Sequence, residues 1–220
     1  MLKDVKLGFQ LLKYSYKVKV NVVSLIIFLA IGLIVEIMSR GTNIVGGIYI
    51  MLVGVFTYQM IMSMDISQMI QASSMKRKLQ IDLPVLSSTV VYLLIYTVLV
   101  IERAILIKSN PEQEALLVFT LFMVVVTMVA VFFFASICYK YFIFGMILFI
   151  TMYIALCCAF NLLWMNGLSD KILRLGFVKI SLLGYIVIFL GAGLEIFLGN
   201  LLYKKPLSEF AFRGIFRDAK

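Results

Sequence analysis

Glu195 is the residue whose setting most invites a chemical reading, because it is a carboxyl group inside a run of otherwise apolar residues, Val178 to Leu202. A charge facing lipid at such depth costs about 2.5–3.5 kcal/mol on insertion scales, so this side chain is expected to face protein or water. Gly191, Glu195 and Gly199 recur every fourth residue, with Gly184 on about the same helical face, as in small-residue helix contacts. The stripe therefore reads either as a polar point on a substrate path, as a proton-linked group, or as a hydrogen-bonded packing residue between glycines.

Other chemistry is thinly represented. The 220 residues contain no histidine and three cysteines. Cys138, Cys157 and Cys158 lie in or beside apolar runs and match neither a zinc set nor a disulfide framework, so they read as small packing residues. No catalytic residue, metal ligand set or bound cofactor is expected. There is also no Gly-x-x-x-x-Gly-Lys-Ser/Thr loop to cradle nucleotide phosphates.

The elements that must position Glu195 follow from the hydropathy. Hydrophobic residues make up 63% of the chain, above the roughly half typical of soluble domains, and mean hydropathy is +1.08. The apolar residues fall into six runs: Val20 to Met38, Ile44 to Met64, Val85 to Ile107, Ala115 to Ile137, Phe142 to Trp164 and Val178 to Leu202. Each is close to the ~20 residues that a helix needs to cross a ~30 Å hydrocarbon layer. Continuous apolarity, without the alternation of barrel strands, makes the expected class an all-α integral membrane protein with residues 1–220 as one transmembrane domain. The first run lacks a small-x-small cleavage site and ends in Glu36, Ser39 and Arg40, so it is kept as a span and not read as a signal peptide.

Charge placement orients the spans. Net charge is +9, and with the N-terminus inside, Lys3, Lys6, Lys13, Lys17, Lys19, Lys76, Arg77, Lys78, Lys140, Lys204, Lys205, Arg213, Arg217 and Lys220 fall on the cytoplasmic side. Arg40, Arg103, Lys108, Lys171, Arg174 and Lys179 fall outside. The bias predicts cytoplasmic termini and explains the positive charge without nucleic acid as a partner. Glu36, Glu102 and Arg103, near outer span ends, are expected to snorkel to the interface. Gly46, Gly47 and Gly54 are expected to let the second span approach a neighbouring helix or a second copy.

Residues 1–19 are expected to form an amphipathic interfacial helix. Leu2, Val5, Phe9, Leu12 and Tyr16 supply an apolar face, while Lys3, Lys6, Gln10, Lys13 and Lys17 supply a basic one suited to anionic membrane lipids. Whether this helix moves mechanically or merely anchors the chain is open. On the outer side, Leu168, Ile172, Leu173 and Leu175 accompany Asp170, Lys171 and Arg174, as in a short interfacial helix or a plain loop.

Residues 65–84 form the one sizeable internal cytoplasmic loop; 203–220 form a tail, and Tyr139 to Tyr141 a tight turn. Asp65 and Ser67 suit N-caps, Ile66, Met69 and Ile70 give an apolar face, and Gln68 and Gln71 lie elsewhere on the turn. Lys76, Arg77 and Lys78 form a basic joint, followed by Leu83 and Pro84, where a new helix is expected to start.

Here the sequence resembles a known family, the type-2 permease subunits of bacterial ABC exporters. The stretch Ser73-Ser74-Met75-Lys76-Arg77-Lys78-Leu79-Gln80-Ile81-Asp82-Leu83-Pro84-Val85 is similar to that family's passage from coupling helix into third span. Many members continue Ser-Arg after the proline, whereas this chain continues Leu86, Ser87, Ser88. The resemblance implies a permease that pairs with a second permease copy or paralogue and with separate ABC ATPase subunits, which bind ATP and Mg. It further implies that Ile66, Gln68, Met69, Ile70 and Gln71 dock the ATPase from a short coupling helix, in the bacterial cytoplasmic membrane. A hydrophobic or amphipathic cargo, such as a peptide, lipid or drug, would suit the small exterior. An ATP-independent channel, secondary carrier, or membrane immunity or scaffold protein is the alternative.

Overall fold

The computed structural model describes residues 2–15, 18–66, 74–165 and 174–210. Helix α1 (Leu2–Leu11) is followed by α2 (Val18–Ser39), α3 (Ile44–Met62), α4 (Leu83–Ser109), α5 (Glu114–Cys138), α6 (Phe142–Met165) and α7 (Gly176–Leu202), with no strand among the described residues. The six helices α2 to α7 are long and apolar enough to cross a membrane, which makes this a multi-pass membrane protein. Because these six are even in number, the first and last described residues, Leu2 and Phe210, lie on one face.

Helices α3 and α5 form the centre, each buried over 72% of its most apolar window, whereas α6 is buried over 6% and α2 over 11% of theirs. Peripheral helices expose apolar residues on their outward faces, as Val23, Ile27 and Ile34 do in α2, because lipid takes the place of a protein partner. α3 packs against α2, α4 and α5; α5 also packs on α6 and α7, and α4 on α7.

The glycines of α3 are consumed within the chain. A Cβ at Gly46 would lie 2.9 Å from the Glu36 backbone nitrogen of α2, one at Gly47 2.8 Å from Val124 of α5, and one at Gly54 2.2 Å from the Tyr92 ring of α4. They seat three neighbouring helices and leave nothing over for a second copy. Between α2 and α3 the chain reverses through Arg40 (φ 48°) and Gly41 (φ 73°), where Gly41 N–H donates to Glu36 O at 3.1 Å. That is a left-handed helix stop, and the Asn43 side chain then caps α3 by accepting from Val45 N–H.

The start of the third span departs from expectation. The α-helix does begin at Leu83 with Pro84 in its first turn, but the chain is already helical at Lys76, so the basic triplet runs into the span without a break. Lys78–Asp82 is a π-helical stretch, with Leu83 N–H donating to Lys78 O one residue further back than in an α-helix. Widening the turn just ahead of the proline relieves the clash its ring would make with the preceding turn. The expected tight turn at Tyr139 to Tyr141 is present, closed by Tyr141 N–H donating to Ile137 O at 2.9 Å.

Within the expected 1–19 helix, α1 covers Leu2–Leu11 and passes into a 3-10 turn at Leu12–Tyr14, and one side of it packs on the bundle. Leu7, Leu11 and Leu12 pack against Ile61, Leu79 and Leu83, and Gly8 sits on Ser87. Phe9 stays exposed, as do Lys3, Lys6 and Lys13.

Candidate functional site

An apolar cleft of about 450 Å3 opens between α2 and α4, both of which pack on α3. From α2 it is lined by Leu29, Leu33, Glu36 and Ile37, from α4 by Leu94, Ile95, Val98, Leu99 and Glu102, and Ile50 of α3 lies at its base. The spacings of three, four and one within each set place them on single helical faces, so each helix contributes an apolar stripe ending in one carboxylate. The volume is within the range of ligand pockets.

Behind the carboxylates lies Arg103. Its guanidinium is 1% exposed and ion-paired to Glu36, which is 2% exposed, and its Nη1 is 3.7 Å from Glu102 Oε2. Glu36 and Arg103 therefore do not snorkel. The glycines explain how: a Cβ at Gly41 would collide with Arg103 Nη1 and one at Gly46 with Glu36 Oε2, so only glycine leaves room for both head groups between the helices. Thr120 of α5 fixes the Gly41 turn by donating to its carbonyl at 3.0 Å. Glu36 Oε2 and Arg103 Nε and Nη1 lack hydrogen-bond partners among the described residues. Sequence reading missed this pair, although opposite charges toward matching ends of two spans were a visible signal.

Glu195 is fully buried with neither carboxyl oxygen hydrogen-bonded among the described residues. It lies within electrostatic reach of Tyr58, Tyr92 and Cys138. The glycines on its face do pack closely: a Cβ would lie 2.1 Å from Tyr96 at Gly184, 2.3 Å from Phe132 at Gly191 and 3.3 Å from Ile81 at Gly199. These positions join α7 to α4 and α5, and Tyr96 adds a hydrogen bond to Ser181 O at 3.2 Å. The cleft carboxylates and Glu195 are thus separate features.

On the face carrying Leu2 and Phe210, the basic triplet ties three elements together. Lys78 pairs with Asp4 of α1, Arg77 donates to Asn200 of α7 at 3.1 Å, and Lys76 lies 5.5 Å from the centre of the Tyr203 ring. Hydrogen bonding from Lys78 holds the Asp4 carboxyl below its usual range. Lys140 donates to Gln80 Oε1 at 3.1 Å and to Lys205 O at 2.7 Å. Ser208 N–H donates to Tyr139 O, which tucks Leu207 against Tyr58, Met62 and Val85.

No protein-family model matches the chain, and neither does any curated protein or solved structure. Of the sequence-read docking residues, Gln68, Met69, Ile70 and Gln71 lie outside the described residues; Ile66 ends a 3-10 turn (Ser63–Ile66), with its side chain also outside them. The loop containing Leu168, Asp170, Lys171, Ile172 and Leu173 lies outside them as well. What remains is an arrangement suited to holding and positioning a molecule. It has an apolar cleft with acidic groups at one end, and a braced hub of charged residues at the other end of α4.

Proposed function

We propose that this chain is the membrane-embedded permease subunit of an ATP-driven exporter, energised by separate ATPase subunits and acting beside a second permease. It resides in the bacterial cytoplasmic membrane with both termini in the cytoplasm, and its cargo is hydrophobic or amphipathic. The observation that carries this reading is the hub at Lys76, Arg77 and Lys78. Immediately after the segment expected to dock an ATPase, these residues bind α1 through Asp4 and α7 through Asn200, with Lys76 beside Tyr203. A push on residues 66–71 would then reach α1, α4 and α7 as one body, the requirement for rigid-body rocking between inward-open and outward-open states. On this reading the energy comes from another chain, in keeping with the absence of a Gly-x-x-x-x-Gly-Lys-Ser/Thr loop from this sequence.

Co-purification from native membranes tests it. The wild-type chain should recover ATP-hydrolysing activity, and Ile66→Glu or Met69→Glu should lose it while inserting to the same level. If the wild type recovers no ATPase, or both variants keep it, the reading fails.

A further inference from the structure

The cleft between α2 and α4 carries an inference about what it holds. We propose that it binds single amphiphiles with a long apolar chain and a cationic amine head group. The chain would lie along Leu33, Leu94 and Val98, which are 41%, 63% and 59% exposed, so the cleft opens sideways, where a membrane would supply hydrocarbon chains. The head group would meet Glu102 at the mouth.

The sign of the head group follows from which charged residues face the space. Both carboxylates line the cleft and Arg103 does not. Arg103 lies behind them under Gly41, where it neutralises one carboxylate and leaves the trio one negative charge in excess. The Glu36 carboxylate is itself out of a ligand's reach, with Oε1 on Arg103 and the buried Oε2 against Gly46. Glu102, 29% exposed, offers the accessible acceptor at the mouth, which an ammonium or amine N–H can satisfy. A sulfate or phosphate head group would meet that carboxylate and no cationic residue among those lining the cleft. Binding does not depend on an ATPase; only the further step, that the bound amphiphile is exported cargo, rests on the proposed function.

The test uses the full chain in phosphatidylcholine nanodiscs with a diazirine-bearing octadecylamine. Photolabel should fall on peptides containing Leu33 and Leu94 to Val98, and unlabelled octadecylamine should compete at least tenfold better than octadecyl sulfate. Val98→Trp, which fills an exposed cleft position, should remove labelling there; Glu102→Lys should reverse the preference toward the sulfate. Both variants spare the buried pair, so retained Cys138 protection from thiol reagents reports an intact fold. Equal competition by amine and sulfate, label spread evenly onto α6, or unchanged labelling of Val98→Trp would each overturn the proposal. The assay contains no ATPase, so its outcome is independent of the co-purification result.

Discussion

Arg103→Met should be among the most damaging single substitutions in the chain. It leaves Glu36, 2% exposed, without its ion partner and with Oε2 already lacking a hydrogen bond. Removing one member of a buried pair costs about 3–5 kcal/mol, because the surviving charge stays desolvated. Glu36→Gln should cost less, about 1–3 kcal/mol, since Glu102 Oε2 at 3.7 Å remains as a counter-ion to Arg103. The double variant buries neither charge and should be less destabilised than Arg103→Met alone, giving a coupling of about 2 kcal/mol between the two sites.

The cysteines provide the assay. Cys138 is buried, so with Cys157 and Cys158 changed to alanine a thiol-reactive dye reports only on uncovering of the bundle interior. At roughly 2–4 °C per kcal/mol for a chain of this size, Arg103→Met should lower Tm by about 6–20 °C, and Glu36→Gln by about 2–12 °C. A shift under about 2 °C for Arg103→Met, or a double variant whose loss equals the sum of the single losses, would refute the buried-pair argument.

Two further outcomes follow from contacts elsewhere. Gly191→Ala would place a Cβ 2.3 Å from the Phe132 ring, whereas Gly193→Ala meets nothing within 4 Å. In the same thiol assay the first should cost about 1–3 kcal/mol by overpacking and the second should be neutral or raise stability by up to about 1 kcal/mol; equal shifts would refute the close α5–α7 approach. Because Lys78 holds the Asp4 carboxyl below its ordinary value of 3.8, the ion pair steadies α1 above that pH and is lost as pH falls through the depressed value. Hydrogen exchange at Leu7 and Leu11 should therefore show protection unchanged from pH 8 to 5, and lower protection in Asp4→Asn at neutral pH. A loss of wild-type protection between pH 7 and 5 would contradict the pairing.

The spans were legible because bilayer thickness, a property of the solvent, sets the length of an apolar run. The expected Ala115 to Ile137 became Glu114–Cys138, and Phe142 to Trp164 became Phe142–Met165. The glycine stripe on α7 was legible for a related reason: four-residue spacing survives any rotation of the helix, and Tyr96, Phe132 and Ile81 do lie over it. What escaped was anything that depends on which helix stands beside which. Glu36 and Arg103 are 67 positions apart, and only the packing of α2 and α4 on α3 brings them together; singly, each looks like a snorkelling end residue. The docking of α1 was equally illegible, because Leu7, Gly8 and Leu11 reveal their role only where Ile61, Leu83 and Ser87 form a groove for them. At Pro84 local rules found the start of the α-helix, but not the widened turn ahead of it that keeps Lys76 to Lys78 continuous with the span.

Helix α4 is the element that joins the two charged regions. Its 27 residues span roughly 40 Å, with Lys76, Arg77 and Lys78 just before its first turn and Glu102 and Arg103 near its far end. It is anchored to α3 and α7 along its length and to α1 at its start, while α2 stands across the cleft from it. A rod of this length tilted by about 5° moves its end by about 3 Å, enough to widen or close a cleft one acyl chain across. Such a tilt would strain the Arg103–Glu36 bridge, the contact that crosses from α4 to α2. Under the proposed function, force applied at the hub would therefore be resisted at the cleft's carboxylates. Occupancy of the cleft by an amine would compensate Glu102 as Arg103 withdrew, which gives bound cargo a direct way to ease the motion that releases it.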